Sequence, residues 1–447
     1  MMTDDPTPIP ADGRPHVVVV GAGFGGLACA KTLARAPGGG GVRVTVIDRN
    51  NYHLFVPLLY QVATAALSPA DIATPIRSIL SRYPNVDVIL GAVEGVDTAA
   101  RRVRLAGGRA VPYDRLVLAT GSVYSYFGHD DWPHVAPALK TVENARHIRT
   151  RLLSALEEAE MCDDADRRAA LMTVVIVGGG PTGVEMAGAV AELTRFTLAR
   201  DFRRIDPRAA RVLLVEAGPR ILSAFPEHLA AYARRKLEAL GVTVMTGQAV
   251  ERIDATGVTV GGRAIPAATV VWGAGVAASP AGRWLGVDTD RAGRIRVAPD
   301  LSVPGVPGVY ALGDTAAAAD DAGKPLPGLA QVAKQQGEHL GRALALNLTA
   351  GTAPAPFRFR NRGNTAIIGR NAAIFDFGHR TLKGWFAWVL WAIVHVYLLV
   401  GGEKRLSVTL RWLWRYATYE RGARLITESP PSDVAEVTTQ DNSRRRA

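Results

Sequence analysis

The residues best suited to chemistry are glycines grouped in a turn, followed in the next strand by a carboxylate. The run Val17 to Gly26 reads VVVVGAGFGG, a short β-branched strand that ends in a turn and opens a helix. Gly21 permits the tight bend, Gly23 lets the backbone approach a pyrophosphate, and Gly26 lets the helix pack closely on the strand. Asp48 ends the next strand, where a carboxylate can bind the two hydroxyls of a ribose. This pattern predicts a dinucleotide site.

The same arrangement returns in the middle of the chain. The run VVIVGGGPTG places Gly178, Gly180 and Gly183 in the equivalent positions. Glu216 ends the next strand, after a longer gap than the ~20 residues that are usual. Two such sites in one chain predict two bound dinucleotides, one of which could pass electrons to the other.

Three further polar side chains lie near predicted helix starts. Glu185 falls in the first turn after the second glycine turn, where a carboxylate also stabilises the helix dipole. Gln331 and Gln335 fall in the first turns of a helix predicted over residues 329–347. From the residues alone, Glu185 is either a reacting group or a helix-stabilising one. The two amides are either ligand contacts or solvated surface.

The elements that position these residues alternate between strand and helix, which is typical of an α/β fold with parallel sheets. Residues 86–90 and 103–105 are predicted to form a small antiparallel layer. Residues 50–77 contain three prolines and are either a loop covering a cofactor or an apolar connector. The main predicted strands are 16–21, 42–48, 114–122, 174–178, 211–216, 269–275 and 308–314, and the main helices are 24–35, 142–160, 181–200, 227–240 and 329–347.

Composition narrows the class of protein. The chain has 447 residues, enough for two or three domains, and a formal net charge of +11. No zinc-finger, helix-turn-helix or RNA-binding signature accompanies that charge, so we expect no nucleic-acid partner and consider an anionic membrane surface instead. Cys29 and Cys162 are the two cysteines, and their wide separation argues against disulfides and thiol–disulfide chemistry. We predict no metal site.

The C-terminal segment differs in character from the rest. Residues 385–400 read WFAWVLWAIVHVYLLV, which is shorter than the ~20 apolar residues needed to cross a bilayer. Residues 404–424 then carry six basic side chains, with Trp412, Tyr416 and Tyr419 at helical spacing. Aromatic and cationic faces on one helix favour the headgroup region of a membrane. A buried hairpin or a dimer interface is the alternative.

Taken together, these motifs resemble those of the type II NADH:quinone oxidoreductases, the single-subunit NADH dehydrogenases that pump no protons. The resemblance extends over residues 16–426. The glycine turns occur in many flavoproteins, whereas three other stretches are more specific to this family. These are NYHLFVPLLYQVATAALSPADIATPIR, LAQVAKQQG, and the C-terminal WFAWVLWAIVHVYLLVGGEKRL with YERGARLI.

The resemblance implies a set of residues for each ligand. FAD would bind non-covalently at the first glycine turn and the strand ends around it. Its contacts would be Gly21, Gly23, Phe24, Gly25, Gly26, Asp48, Arg49, Asn51, His53, Pro57, Thr120, Gly121, Gly313, Asp314, Ala330, Gln331 and Val332. NADH would bind at the second glycine turn. Its contacts would be Gly178, Gly180, Pro181, Thr182, Gly183, Glu185, Glu216, Gly273, Ala274 and Gly275. Glu216 would bind the ribose hydroxyls and repel a 2′-phosphate, which favours NADH over NADPH.

The family also implies four residues at the site of reaction. Glu185 would lie near the junction of nicotinamide and flavin, where it could relay protons. Gln331 and Gln335 match the AQxAxQ motif on the quinone side of the flavin and would orient the quinone. Lys383 falls where the family often has a lysine close to the quinone pocket.

The implied protein is an α/β flavoenzyme with two Rossmann-like dinucleotide-binding domains and a C-terminal helical membrane-association segment. It would reduce menaquinone or ubiquinone with NADH, as a homodimer on an anionic lipid surface at the cytoplasmic face of the inner membrane. The alternatives are a sulfide:quinone oxidoreductase, which needs paired cysteines, a soluble NADH–ferredoxin reductase, and a flavin-binding redox sensor or membrane scaffold. The predicted segments are a disordered tail at 1–14, FAD-binding parts at 15–139 and 301–380, an NADH-binding domain at 140–300, membrane-anchoring helices at 381–426 and a disordered tail at 427–447.

Overall fold

The computed structural model describes residues 13–36, 38–418 and 424–426. The predictions for residues 1–12, for Tyr419 and for residues 427–447 lie outside that part of the chain. The strands are β1 (His16–Val20), β2 (Arg43–Asp48), β3 (Tyr52–Leu54), β4 (Ala73–Pro75), β5 (Val86–Leu90), β6 (Val93–Asp97), β7 (Arg102–Leu105), β8 (Ala110–Pro112), β9 (Arg115–Leu118), β10 (Ser122–Tyr124), β11 (Thr173–Val177), β12 (Arg211–Glu216), β13 (Val242–Thr246), β14 (Val250–Asp254), β15 (Gly257–Val260), β16 (Arg263–Pro266), β17 (Thr269–Trp272), β18 (Val276–Ala278), β19 (Ile295–Arg296), β20 (Val309–Ala311), β21 (Ala316–Ala317), β22 (Asn364–Gly369), β23 (Ala372–Asp376) and β24 (Thr381–Gly384).

The helices vary from single turns to more than five turns. They are α1 (Phe24–Arg35), α2 (Leu59–Ala63), α3 (Pro69–Ile72), α4 (Ile76–Leu80), α5 (Trp132–Val135), α6 (Val142–Met161), α7 (Ala165–Leu171), α8 (Pro181–Glu192), α9 (Glu227–Ala239), α10 (Ala281–Leu285), α11 (Ala330–Ala350), α12 (Trp385–Leu398) and α13 (Gly402–Thr418).

The first parallel sheet has the strand order β20-β9-β1-β2-β5. Strand β1, HVVVV, is buried along its whole length, as a β-branched strand covered on both faces should be. All four strand pairs are parallel, so the carboxyl ends meet at one edge, where open α/β sheets bind their ligands. Strand β20 joins from far along the chain and completes this sheet beside β9.

The second parallel sheet has the order β13-β12-β11-β17 and repeats the design. Its central strand, β11, reads TVVIV and is also fully buried. Helix α8 follows β11 as α1 follows β1, and each begins at a glycine turn. This arrangement confirms the prediction of an α/β protein with two Rossmann-like units. The residue boundaries of the domains stay predictions.

Two features of the predicted secondary structure were wrong. Strand β5 pairs in parallel with β2 at the edge of the first sheet, not in the antiparallel layer of β6, β7 and β8. The alternating sequence VDVIL fits either place, because an edge strand is covered unevenly. The helix predicted over 181–200 ends as an α-helix at Glu192, and a π-helical turn, Leu193–Thr197, follows.

The C-terminal region packs on the second unit. Strands β22, β23 and β24 form an antiparallel sheet, and α8 packs against β22 on one side. A Cβ atom added to Gly188 of α8 would overlap the carbonyl oxygen of Ile368, so the contact requires glycine. Helix α12 packs against β23 and β24, and α13 packs against α12 and α3. Within the described ranges, no helix is both long enough and apolar enough to cross a membrane.

Candidate functional site

The first glycine turn leaves an open space for a ligand. Gly21 has a φ of +99°, and a Cβ there would overlap the carbonyl oxygen of Ala119. A Cβ on Gly26 would overlap the carbonyl oxygen of Gly21, so helix and strand meet at the closest distance the backbone allows. By contrast, a Cβ on Gly23 would meet no atom within 4 Å. Gly23 therefore faces the space that a pyrophosphate needs.

Asp48 is held in place by the backbone of this turn. Its Oδ2 accepts a hydrogen bond of 2.7 Å from the Ala22 N–H, and its Oδ1 accepts one of 2.8 Å from the Asn50 N–H. His53 is buried, and its Nδ1 lies 2.8 Å from the carbonyl oxygen of Ala22. Burial lowers the pKa of His53, so the ring is neutral at pH 7. Both side chains therefore hold the backbone of the turn in place.

The other strand ends bring polar groups to the same edge of the sheet. The Ser122 hydroxyl donates a 2.7 Å hydrogen bond to Oδ2 of Asp314, and the Lys140 ammonium donates to the Ser122 oxygen at 2.8 Å. Burial lowers the pKa of Lys140, and the charge of Asp314 opposes that effect. The Gly313 N–H donates to Oε1 of buried Gln336 at 2.7 Å. Sequence reasoning did not single out Lys140, Ser122 or Gln336, although Gln336 lies in the LAQVAKQQG stretch.

The remaining residues predicted for FAD lie around this edge. Thr120 and Gly121 follow β9, and Gly313 and Asp314 follow β20. Helix α11 begins at Ala330, and Val332 is buried in its first turn. Phe24 packs edge-on against His53, with ring centroids 5.2 Å apart. The other three predicted FAD residues lie in the segment that follows β2. Arg49 and Asn51 are exposed there, and Pro57 is partly buried.

The second turn has the geometry of the first. Gly178 has a φ of +106°, and a Cβ there would lie 2.7 Å from the Ala274 nitrogen. A Cβ on Gly183 would overlap the carbonyl oxygen of Gly178, and one on Gly180 would meet nothing within 4 Å. The segment Gly273 to Gly275 follows β17 directly beside this turn. Pro181 and Thr182 form the first turn of α8.

Glu216 binds backbone N–H groups on both sides of the second turn. Its Oε2 accepts a 2.6 Å hydrogen bond from Gly179, and its Oε1 accepts one of 2.6 Å from Gly218. Arg220 lies nearby, but its guanidinium donates to the carbonyl oxygens of Ser223 and Phe225, each at 2.8 Å. The charged group that faces the second dinucleotide site is therefore the Glu216 carboxylate and not the Arg220 guanidinium.

Glu185 faces a large apolar cavity on the other side of α8. The cavity has a volume of about 940 Å³, and α2, α8, β22, α12 and α13 all contribute to its wall. Burial raises the pKa of Glu185 to about 8, and a weak 3.5 Å contact with the Ile367 N–H opposes that shift only slightly. Glu185 is therefore a protonated acid at pH 7, at a cavity whose lining includes Tyr60, Trp388, Trp391, Val396, Trp412 and Tyr416.

Helix α13 closes this cavity and is tied to the segment that follows β3. Arg411 forms an ion pair of 2.7 Å with Asp71, and the Trp412 indole N–H donates to Oε1 of Gln61 at 3.1 Å. Lys404 donates to the carbonyl oxygen of Ala73. No sequence pattern indicates these contacts, since they join residues more than 300 positions apart.

A continuous set of ring contacts joins the first turn to α13. Phe24 meets Phe55 with centroids 5.8 Å apart, and Phe55 meets His395 at 6.1 Å. His395 stacks on Trp391 at 4.2 Å, and Trp391 stacks on Trp412 at 5.3 Å. Burial lowers the pKa of His395 to about 4, so it is a neutral ring within this set. The C-terminal helices are thus packed against the FAD-side turn.

The two glutamines predicted to orient the quinone are bonded to backbone. Gln331 donates to the Gly363 carbonyl at 3.0 Å and accepts from the Arg362 N–H at 3.1 Å. Gln335 makes the same pair of bonds with Arg360, at 3.0 and 3.1 Å. Both therefore hold the segment that leads into β22. Neither lines the cavity, and their contact with quinone stays a prediction.

Lys383 lies on β24, exposed, with its Nζ 5.6 Å from the centroid of the Tyr232 ring. It is not among the cavity-lining residues, so its role near the quinone also stays a prediction. Of the four residues predicted at the site of reaction, the structure brings only Glu185 to the cavity. The cavity residues that sequence reasoning did not single out include Tyr60 and Gln61, although they lie in the stretch interpreted as a cofactor-covering loop.

The chain is similar to known proteins along most of its length. The model of the pyridine nucleotide-disulphide oxidoreductase family matches residues 15–337. The chain is 41% identical over 430 residues to the type II NADH:quinone oxidoreductase Ndh of Mycobacterium tuberculosis, covering 93% of this chain and 91% of that protein. It is 40% identical over 436 residues to NdhA of the same organism, covering 94% and 91%.

Among solved structures, NDH2 of Plasmodium falciparum in complex with NADH superposes with a TM-score of 0.84 at 18% identity. The match covers 92% of this chain and all of that one. The sulfide:quinone oxidoreductase of Aquifex aeolicus superposes with a TM-score of 0.66 at 18% identity, covering 94% and 99%. At these identities the two structures support the fold alone.

Proposed function

The chain belongs to the type II NADH:quinone oxidoreductases, within the pyridine nucleotide-disulphide oxidoreductase family, and we propose that it reduces its quinone in the cavity beside Glu185. The enzyme uses FAD to transfer two electrons from NADH to a quinone, without pumping protons. The observation that carries the cavity assignment is a carboxylic acid with a pKa of about 8 in a large apolar cavity. That acid lies on the helix that begins at the second glycine turn.

The first unit fits FAD. Gly23 leaves room for a pyrophosphate at the start of α1, Asp48 can accept from ribose hydroxyls, and Asp314 follows β20 at the same edge of the sheet. When bound, FAD accepts a hydride from NADH and passes the electron pair on to the quinone. The remaining FAD contacts predicted from the family are part of this proposal.

The second unit fits NADH. Gly178, Gly180 and Gly183 bring the N-terminus of α8 to the pyrophosphate, and the helix dipole favours its negative charge. Glu216 would bind the ribose hydroxyls and repel a 2′-phosphate. Arg220 cannot compensate without giving up its bonds to Ser223 and Phe225, and this supports a preference for NADH over NADPH.

Glu185 would supply protons to the quinone. A quinone that gains two electrons also takes up two protons, and its oxygens become strong bases as they gain charge. A neutral carboxylic acid held in an apolar cavity can give a proton to such an oxygen and regain one from solvent. Burial is the reason that Glu185 keeps its proton at neutral pH.

The C-terminal helices would rest on a membrane. Both helices carry exposed apolar side chains, and α13 adds cations, which is the composition of an interfacial helix. We assign the protein to the cytoplasmic face of the inner membrane, attached to anionic lipid as a homodimer. The exposed apolar side chains include Trp385, Phe386, Ile393, Tyr397, Leu406, Leu410 and Leu413.

A chain ending before Lys383 tests the membrane assignment. It should no longer sediment with vesicles containing anionic lipid, whereas the full chain should. Sedimentation of the shortened chain would overturn the assignment. Light scattering of the full chain in detergent, giving the molar mass of two chains, tests the homodimer.

The sulfide:quinone alternative is not favoured by the cysteines. Cys29 is buried, and burial raises the pKa of its thiol to about 12, so it cannot form a reactive thiolate at neutral pH. Cys162 lies directly after α6 and is not among the residues that line the cavity. Paired reactive cysteines are therefore missing among the described residues.

The deciding experiment is steady-state oxidation of NADH, and separately of NADPH, by the purified yellow protein with a short-chain menaquinone or ubiquinone analogue. We expect fast, NADH-selective quinone reduction. Ferricyanide is the control acceptor, because it takes electrons without needing the cavity. Reduction of ferricyanide but of neither quinone would overturn the cavity assignment, and equal use of NADPH would overturn the role given to Glu216.

A further inference from the structure

Gln61 is a buried amide in the cavity wall that has no part in the scheme above. It lies on α2, with 8% of its surface exposed, and α2 packs against α8, the helix that carries Glu185. Both side chains line the same cavity. Buried side-chain amides normally have their hydrogen-bonding capacity used, so each bond of Gln61 is informative.

Trp412 determines which way the amide points. An indole N–H can only donate, so the atom 3.1 Å from Trp412 Nε1 must be the amide oxygen of Gln61. The amide nitrogen then points the other way, and one of its N–H groups donates to the Tyr60 hydroxyl at 2.9 Å. The orientation of Gln61 thus depends on a helix that follows it by some 350 residues.

The amide nitrogen has a second N–H group. Among residues 13–36, 38–418 and 424–426, no acceptor is within hydrogen-bond distance of that group. A buried donor left without an acceptor is costly, and a wall of the cavity is where a substrate could supply one. Apolar pockets commonly orient their ligands through a few such fixed polar groups.

We propose that Gln61 donates this hydrogen bond to a carbonyl oxygen of the quinone and that Trp412 holds the amide in the orientation required. The inference rests on the proposed function, because it takes the cavity as the quinone site. A quinone oxygen gains negative charge as the ring is reduced, so the bond strengthens as the reaction proceeds. Gln61 is thereby a substrate-contacting residue, and Trp412 is a positioning residue.

Three variants separate these roles. Gln61→Glu keeps an acceptor for Trp412 and removes the amide donor, Gln61→Met removes both, and Trp412→Phe keeps the stacked ring and removes only its N–H. We expect both Gln61 variants to lower kcat/KM for a soluble quinone by about tenfold, and Trp412→Phe by about threefold, since single hydrogen bonds have effects of this size. Flavin reduction by NADH and turnover with ferricyanide should be unchanged in all three.

A double variant tests whether Trp412 acts through Gln61. If it does, adding Trp412→Phe to Gln61→Met should cause no further loss, since the orienting contact is already gone. Trp414→Phe is the matched control: this residue is exposed on the same helix, does not line the cavity and should leave quinone turnover at the wild-type value. Bound flavin per chain, measured from the visible absorbance, reports whether each variant is folded.

Three outcomes would overturn the inference. Unchanged kcat/KM for quinone in both folded Gln61 variants would remove the substrate contact, and an undiminished effect of Trp412→Phe in the Gln61→Met background would remove the positioning role. Equal losses with quinone and ferricyanide would assign Gln61 a purely structural role. These results differ from failure of the proposed function itself, in which the unaltered enzyme would reduce ferricyanide but no quinone.

Discussion

The two glycine turns have almost the same geometry, but the helices that follow them pack against different partners. In both turns the first glycine has a φ near +100°, and a Cβ on the last glycine would overlap the carbonyl oxygen of the first. Helix α1 then packs on α11, a helix beside the first sheet, whereas α8 packs on β22 and forms part of the cavity wall. The difference extends to single positions: Ala28 in α1 occupies the place that Glu185 occupies in α8.

This comparison separates two properties. The turn provides a place for a dinucleotide, and both units have it. The opposite face of the helix determines what else the unit can do, and only α8 presents an acid to a cavity there. Two copies of one strand–turn–helix unit can therefore take part in different chemistry. The side chain at one helix position and the element that packs on the helix differ between the two copies.

The largest expected effect comes from filling the turns. Gly26→Ala should give protein without FAD, because the new methyl group would overlap the Gly21 carbonyl and push α1 away from β1. Gly183→Ala should keep FAD but lose its reduction by NADH, because the equivalent overlap lies in the second unit. Visible absorbance and stopped-flow flavin reduction measure the two effects.

Gly40→Ala is the control for these variants, because a Cβ there meets no atom within 4 Å. It should bind FAD and react with NADH normally. Loss of FAD from Gly183→Ala as well would mean that the two units are not independent.

The second effect concerns Glu185 of α8, whose place in α1 is taken by Ala28. Glu185→Gln should slow quinone reduction by about a hundredfold, a typical contribution for a general acid, with ferricyanide turnover unchanged. In the unaltered enzyme, quinone reduction should fall as the pH rises through about 8, because Glu185 then loses its proton. Glu185→Gln should show no such fall, and a pH profile that kept it would assign the titration to another group.

The carboxylates at the ends of β2 and β12 should have smaller and separate effects. Glu216→Gln should raise KM for NADH by about tenfold and weaken the preference over NADPH, since a charged hydrogen bond is lost. Asp48→Asn should weaken FAD binding by a similar factor and leave KM for NADH unchanged. Nucleotide kinetics and titration of the apoprotein with FAD measure the two. A rise in KM for NADH caused by Asp48→Asn would contradict the separation.

The smallest effects are expected for residues outside the cavity. Lys383 is exposed and lies over the Tyr232 ring. Lys383→Ala should therefore change KM for quinone by less than about twofold, since an exposed cation–π contact contributes little. Gln335→Met should lower the melting temperature, because it frees the backbone of Arg360. A tenfold rise in KM for quinone in either variant would instead place that residue at the substrate, as the family resemblance implies.

The sequence was most informative where the signal is local. The glycine turns and the strands before them follow from a few adjacent residues whose steric demands are specific, and α1 begins and ends as predicted. The boundary of α8 was missed, because the apolar pattern continues past Glu192 while the backbone changes to a π-helical turn. Strand β5 was misplaced for the related reason that alternation does not reveal the partner strand.

The cavity could not have been predicted in the same way. Its wall combines α2, α8, β22, α12 and α13, and the contact of Gln61 with Trp412 joins residues that no sequence pattern connects. The high pKa of Glu185 depends on this enclosure and not on its position in the helix. The resemblance identified the acid, but only the packing explains why it keeps its proton.

The packing of α1 on α11 also determines the order in which the protein can fold during synthesis. Gly337 and Gly341 of α11 approach the backbone of Gly25 and Cys29 so closely that no side chain would fit between the helices. Roughly 300 residues separate the end of α1 from the start of α11, and ribosomes add ~5–20 residues per second. The apolar face of α1 therefore emerges tens of seconds before its partner. During that time the first sheet also lacks β20, so the nascent chain presents an uncovered helix face and an unpaired edge beside β9 to chaperones and to neighbouring chains.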